Sequence, residues 1–191
     1  MHRIRVTGTS CSGKTTLSRA ISRRLNLPVV ELDALFWGPN WTPVPDEIFR
    51  TRVAEAVAAD RWVIDGGYAS VRDVTWSRAD TVIWLDYPMR AVLGRWARRT
   101  MRRLRTREEL WPGTGNRERL GHIGRRDGLL WWILSTHRRR RRTMAAELAA
   151  RSDLHEVRLR SSAEADRWLR GLQPASSPST TAGAIATAQK P

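Results

Sequence analysis

The 191-residue sequence has one cysteine and no long apolar run. The single cysteine, Cys11, excludes an internal disulfide framework and suits a reducing compartment. No stretch approaches the roughly 20 apolar residues that a membrane-spanning helix needs. The first residues lack the apolar segment of a secretory signal. We therefore expect a cytoplasmic protein with no membrane partner, large enough to build a core without disulfides.

Acidic residues and lysines are also scarce. The chain has 34 basic residues against 19 acidic ones, a net charge of +15, and only Lys14 and Lys190 are lysines. Between Arg95 and Arg142 there are 16 arginines against four acidic residues, ending in the run Arg138–Arg142. Such a block either binds a phosphate-rich partner such as nucleic acid or is a solvated basic surface.

A complete phosphate-binding loop stands near the start of the chain. The pattern G-x-x-x-x-G-K-[ST] follows a short apolar run and precedes a helical pattern. Its backbone N–H groups are expected to cradle phosphates, while Lys14 reaches the β- and γ-phosphates and Thr15 contacts Mg²⁺. The residues predicted to bind the nucleotide are Gly8, Thr9, Ser10, Cys11, Ser12, Gly13, Lys14, Thr15 and Thr16. Cys11, near a helix N-terminus that can lower a thiol pKa, is either a redox-sensitive group or a small residue filling the loop.

Strands and helices alternate along the sequence. The predicted strands are residues 2–7, 28–32, 61–65, 80–86 and 154–160. The predicted helices are residues 14–25, 46–59, a short one near 70–77, a long arginine-rich one from 89, and a capped one from 161 that stops at Gly171. This pattern predicts a three-layer α/β/α fold of the P-loop NTPase type with a five-stranded parallel sheet. We expect a domain over residues 1–171, with an arginine-rich helical lid at about 100–125, and a disordered tail over 172–191.

Aspartates follow three of the predicted strands, where parallel sheets bind ligands. Asp65 is predicted to hold Mg²⁺ with Thr15, or else begins a turn. Asp33 is predicted to orient an acceptor hydroxyl and take its proton, or else caps a helix or loop. Asp86, just before a proline, is predicted to be a structural cap.

The acceptor side and the cations complete the predicted site. Gly66 and Gly67 let the backbone approach a substrate. Trp37 and Trp41 lie in a proline-rich loop, where they either stack on a planar substrate or form a small satellite core. Arg95 and Arg99, four residues apart, share a helix face and are predicted to cover charge on the transferring phosphoryl group.

Several segments resemble a known group of kinases. The phosphate loop, Val63-Ile64-Asp65-Gly66 and Asp86-Tyr87-Pro88 with Arg95 and Arg99 resemble adenylate-kinase segments of the nucleoside-monophosphate-kinase group. The segments 31–41, 62–68 and 79–86 are similar to the bacterial DNA topology modulation protein family, which is described as adenylate-kinase-like. The resemblance implies a five-stranded core with an arginine-bearing lid, with Arg95 near the adenine or phosphates and Arg99 at the transferring phosphate. It also brings Tyr68 into the acceptor site, although Asp65-Gly66-Gly67-Tyr68 stands where adenylate kinases have Asp-Gly-Phe-Pro.

Three functions are compatible with these patterns. The first is an Mg²⁺-dependent kinase that transfers the γ-phosphoryl group of ATP to a small-molecule or nucleotide acceptor. The second is a nucleic-acid-associated ATPase or regulator that uses the basic region from Arg95 to Arg142. The third is a nucleotide-binding protein without catalysis. No helix-turn-helix, zinc-finger or RNA-binding motif supports the second function.

Overall fold

A parallel sheet organises the computed structural model, which describes residues 1–111, 113–118 and 128–173. Its strands are β1 (Arg3–Gly8), β2 (Val29–Glu31), β3 (Trp62–Asp65), β4 (Thr81–Leu85) and β5 (His155–Leu159). They are all parallel and lie in the order β2-β3-β1-β4-β5. The predicted α/β fold with a five-stranded parallel sheet is confirmed.

Seven helices connect and cover these strands in the part of the chain described. They are α1 (Lys14–Leu25), α2 (Leu32–Phe36), α3 (Asp46–Val57), α4 (Arg72–Arg78), α5 (Met89–Thr106), α6 (Leu129–Ala149) and α7 (Ser162–Gly171). Helix α2 was not predicted, because five residues are too short to display a helical period. Helix α7 begins as predicted at a capping box, in which the Ser161 hydroxyl accepts a hydrogen bond from the Glu164 N–H.

Alternation along the strands divides the core between the two faces of the sheet. Trp62 and Ile64 of β3 pack on one face with residues of α3 and α4, whereas Val63 packs on the other face with α1. Helix α6 contributes to both clusters, with Ile133 on the α1 side and Met144 on the α3 side. The N-terminal half of α6 therefore lies close to the phosphate loop.

Two predicted segments lie partly outside the described residues. The predicted lid begins in the last turns of α5 and continues through a described loop at 107–111 and 113–118, while 119–125 are not described. The predicted tail lies outside the described residues from 174 onwards. Within the described ranges, no helix combines the length and apolar character needed to span a membrane.

Candidate active site

The loop between β1 and α1 has the backbone of an anion-binding turn. Gly8, Cys11 and Gly13 all have positive φ values, of 151°, 66° and 97°. A Cβ at Gly8 would lie 2.8 Å from the Leu85 carbonyl oxygen, so only glycine fits between the loop and β4. Helix α1 begins at Lys14 directly after this turn, and its N-terminus points its partial positive charge at the loop.

Lys14, Thr15 and Asp65 meet at one edge of this loop. The Lys14 ammonium donates to the Thr9 carbonyl at 3.3 Å, and the Thr15 hydroxyl donates to Asp65 Oδ2. Asp65 Oδ1 is buried and has no partner among the residues described. Burial raises the pKa of Asp65 above its usual range, although nearby Lys14 opposes this. An unpartnered carboxylate oxygen beside a hydroxyl fits the few protein ligands that Mg²⁺ takes alongside phosphates.

Asp33 lines the cleft that the loop borders and lies in the first turn of α2. Its Oδ1 accepts a hydrogen bond of 2.6 Å from the Tyr68 hydroxyl. Burial and the neighbouring Asp33 carboxylate raise the pKa of Tyr68, so this hydroxyl stays protonated and remains a donor. The bond orients Asp33 and leaves its other oxygen available to a ligand.

Arg95 and Arg99 share one face of α5, as their spacing predicts, and this face lies beside the phosphate loop. Arg95 Nη1 donates to the Ser12 carbonyl at 3.0 Å, and its guanidinium lies over the Tyr87 ring. Arg99 lies close to Cys11, and its Nε is buried without a partner in the described part of the chain. Burial lowers the pKa of Arg99, which means that the site holds a poorly compensated cation.

Burial has the largest effect on the thiol of Cys11. Burial raises its pKa above the usual value, and the attraction of Arg99 and Lys14 does not outweigh this. The interpretation of Cys11 as a small residue that fills the loop is therefore the better one.

The described loop at 107–111 and 113–118, which belongs to the predicted lid, contacts the tryptophan loop that follows α2. Buried Asn116 donates to the Gly38 carbonyl at 2.9 Å and accepts from the Trp41 N–H at 2.9 Å. Trp41 packs edge-on against both Trp37 and Trp111, with ring centroids 5.7 and 5.5 Å apart. The tryptophans thus form a small cluster, as one of the two sequence-based interpretations predicts, and this cluster lines the cleft. Stacking on a planar substrate stays a prediction.

Helix α6 supplies groups that the sequence did not place in the predicted kinase site. The guanidinium of Arg140 lies over the Trp132 ring. Its Nη2 is so near Gly67 that a Cβ added at this glycine would lie 3.3 Å from it. Arg141 instead donates to Asp86, which also accepts from Arg158 of β5. The arginine run is therefore divided: Arg140 is half-buried in the wall of the cleft, and Arg141 binds Asp86 although it is exposed. Arg138, Arg139 and Arg142 are exposed.

Asp86 has a different structural role from the one expected. Its side chain is fully buried and binds two arginines, whereas α5 has Pro88 at its N-cap position and no side-chain cap. The prediction of a cap was wrong, because partners 55 and 72 residues further along the chain satisfy this carboxylate. Burial opposes ionisation, but the bonds from Arg141 and Arg158 hold the pKa of Asp86 below its usual value.

These groups surround one cleft of about 1650 Å³. This volume exceeds that of a pocket for one drug-sized ligand, so the cleft has room for two. Every predicted site residue lines it except Thr9 and Ser12, whose side chains are buried beneath the loop. The predicted residues on the wall are Gly8, Ser10, Cys11, Gly13, Lys14, Thr15, Thr16, Asp33, Trp37, Asp65, Gly66, Gly67, Tyr68, Arg95 and Arg99.

Arg140, Trp111 and Trp132 line the same wall but were not among the predicted site residues. Arg140 was named only within the basic run Arg138–Arg142. A signal for Arg140 was present, since buried Ile133, His137 and Met144 share its helical face. No clear sequence signal marked Trp111 within the lid loop.

Known proteins share this architecture. A shikimate kinase from Bacteroides thetaiotaomicron is 18% identical with a TM-score of 0.53, over 88% of this chain and 94% of that one. A protein described as a sugar kinase from Janibacter sp. HTCC2649 is 21% identical with a TM-score of 0.50, over 89% and 93% of the two chains. No protein-family model and no curated protein matches this sequence. The fold is therefore that of P-loop kinases, and the resemblance to the DNA topology modulation family stays a prediction.

Proposed function

We propose that this protein is a kinase that transfers the γ-phosphoryl group of ATP to a hydroxyl group of a small-molecule or nucleotide acceptor. The observation that carries the proposal is that the phosphate loop and Asp33 open onto the same cleft. Nucleotide binding alone would not require a second, oriented carboxylate in the same cleft. The cleft can accommodate both reactants.

The nucleotide is expected to bind with its phosphates on the backbone of the loop. Lys14 would contact the β- and γ-phosphates, and Thr15 with Asp65 would hold Mg²⁺. When bound, Mg²⁺ neutralises charge on the phosphates and favours the ionised form of Asp65. Arg95 and Arg99 lie on the lid side of the loop, where they can cover charge that develops on the moving phosphoryl group.

The acceptor hydroxyl is expected to bind at the free oxygen of Asp33. Its oxygen attacks the γ-phosphorus while the bond to the β–γ bridging oxygen breaks, and its proton passes to the Asp33 carboxylate. Tyr68 keeps that carboxylate in place through the bond to Oδ1. The products are the phosphorylated acceptor and ADP.

The other residues that line the cleft indicate which kind of acceptor it could bind. Trp37, Trp41 and Trp111 offer flat apolar faces and edges, while Arg140 adds a cation beside Gly67. These groups suit a compact, polar molecule that carries an anionic group and a flat face. The named activities of the two structures of similar fold make sugars and hydroxy acids the first acceptors to test, with nucleosides and nucleoside monophosphates beside them.

The experiment is ATP turnover with Mg²⁺ against that panel of acceptors, with duplex and single-stranded DNA as parallel additions. We expect one acceptor class to yield a phosphorylated product. Asp33→Asn should reduce transfer by about 10²- to 10⁴-fold while ATP affinity stays nearly unchanged, because a general base is removed. Lys14→Ala should weaken both ATP binding and turnover.

The matched control is Asp60→Asn, which changes an exposed aspartate outside the cleft and should behave as the wild type. Full transfer activity in Asp33→Asn would contradict the role of Asp33. Turnover that responds only to DNA and falls steeply with salt would favour the alternative, a nucleic-acid-associated ATPase that uses the basic region.

A further inference from the structure

Thr9 makes an unusual contact for a residue of a phosphate loop. Its hydroxyl lies 3.1 Å from Nδ1 of His137, a residue of α6 that is 128 positions away in the sequence. Both side chains are almost completely buried, with 6% and 3% of their surfaces exposed. A buried polar pair of this kind costs free energy unless the bond between its members is kept.

The loop depends on such outside contacts to hold its shape. Cys11 has a φ of 66°, which is unfavourable for a residue other than glycine. Within the loop, the Thr9 carbonyl accepts from the Ser12 N–H at 3.1 Å and from the Lys14 ammonium at 3.3 Å. Thr9 therefore connects the loop backbone to the lysine that contacts phosphate.

The two long helices that flank the lid each hold one end of this loop. Arg95 of α5 binds the Ser12 carbonyl, and His137 of α6 binds the Thr9 hydroxyl. Arg141, one turn beyond His137, fixes α6 to β4 through Asp86. Arg140 on the same helix lines the acceptor side of the cleft.

We infer that His137 is a positioning residue, which acts through Thr9 to hold the phosphate loop in its nucleotide-binding conformation and couples that loop to α6. The inference rests on the proposed function insofar as the loop binds ATP. His137 contacts no substrate position itself, since it does not line the cleft.

The neutral imidazole is the form that suits this role. Burial and the neighbouring Arg141 lower the pKa of His137, and Asp86 opposes them. Its Nε2 is buried and has no partner in the described ranges. An imidazolium would bury a second, unpartnered N–H close to Arg141, whereas either neutral tautomer preserves the bond to Thr9.

Replacing His137 by asparagine or by glutamine distinguishes a positioning role from a contribution to packing alone. The amide of asparagine can occupy the place of Nδ1, whereas the longer glutamine places its amide at the position of Nε2. His137→Asn should retain the bond to Thr9 and hold the dissociation constant for ATP with Mg²⁺ within about threefold of the wild type. His137→Gln and His137→Leu should raise it by about 5- to 30-fold, because a buried hydroxyl loses its partner.

Thr9→Val removes the other half of the contact. It should weaken ATP binding to a similar extent, and adding His137→Leu to it should have little further effect, since both substitutions remove one interaction. His155→Gln, at an exposed histidine of β5, is the matched control and should leave ATP affinity unchanged. Binding is measured by titration calorimetry, and thermal unfolding of each variant shows whether it is folded.

Hydrogen exchange of residues 8–15 tests the same inference without nucleotide. The loop amides should exchange at least about threefold faster in His137→Gln than in His137→Asn or the wild type. If the wild type failed to bind ATP, the proposed function would fail, while the exchange rates would still decide the role of His137. Equal exchange and equal ATP affinity in the asparagine and glutamine variants would overturn the inference, as would a loss of thermal stability alone.

Discussion

Arg5 is a cation in the middle of the sheet, and its removal should stabilise the protein. It lies on β1, is only 2% exposed, and faces the cluster that contains Trp76. Burial lowers its pKa to about 10, and Arg72 nearby contributes to the shift. The usual pKa of arginine is 12.5. The lowered pKa means that the charged form of Arg5 is less favourable in the folded state than in the unfolded chain by about 3 kcal/mol.

The favourable contacts of Arg5 are few. Its guanidinium donates to the Thr75 hydroxyl and lies over the Trp76 ring, while its Nε is unpartnered within the described part of the chain. Thr75 would keep its own bonds to backbone carbonyls, and Glu147 would keep its bond to Arg72. Arg5→Met preserves most of the volume, so we expect it to raise the free energy of unfolding by about 1–3 kcal/mol.

Urea unfolding and calorimetry measure this change, with about 2–4 °C in Tm expected for each kcal/mol. The folded state loses the Arg5 proton at lower pH than the unfolded state. Wild-type stability should therefore recover as the pH rises above about 10, and the advantage of Arg5→Met should shrink there. Arg3→Met, at a partly exposed residue of the same strand, should change stability by less than about 0.5 kcal/mol. A loss of more than about 1 kcal/mol in Arg5→Met would refute this reasoning.

Two further predictions concern Asp86 and the phosphate loop. Asp86→Asn should destabilise the fold by about 2 kcal/mol at pH 7, since two partly exposed arginines lose their buried carboxylate. The pKa of Asp86 is lowered in the folded state. Its contribution is therefore complete above the unfolded pKa near 3.9 and is lost as the pH falls from there through the lower folded value. Urea unfolding from pH 7 down to about pH 2 would follow this loss. Gly13→Ala should weaken ATP binding at least about tenfold in titration calorimetry, because φ is 97° and the new Cβ would lie 2.5 Å from Arg95 Nη1. Gly94→Ala, where a Cβ meets nothing within 4 Å, should instead stabilise α5 by up to about 1 kcal/mol and leave ATP affinity unchanged.

Local patterns made most of the fold predictable. The strand predicted at residues 80–86 is observed at Thr81–Leu85. Its ends were predictable because charged residues stand directly before and after the apolar run. The phosphate loop was predictable for the same reason, since its function depends on eight consecutive residues. The ends of the parallel strands then directed attention to Asp33 and Asp65, and both line the cleft.

Contacts between distant residues were not predictable in this way. Asp86 was misread because its partners, Arg141 and Arg158, lie on α6 and β5. Ile133 and Met144 share the helical face of Arg140, but this pattern does not show that the face borders the cleft. His137 carried no motif at all, and only the packing of α6 against the phosphate loop reveals its contact with Thr9.

Burial of an arginine, which destabilises the fold at Arg5, can favour ligand binding at Arg99. Both cations have a pKa lowered by burial, but Arg99 lies on the wall of the cleft beside the phosphate loop. Lid carboxylates already pair with other arginines of α5, since Glu108 accepts from Arg102 and Arg103. An incoming phosphate would supply Arg99 with the charge that it lacks. Arg99→Met should therefore keep or raise the stability of the nucleotide-free protein while most of the rise in Tm caused by ATP with Mg²⁺ is lost. Arg5→Met should raise stability and retain that response to ATP. An unchanged response to ATP in Arg99→Met would mean that this cation does not contact the nucleotide.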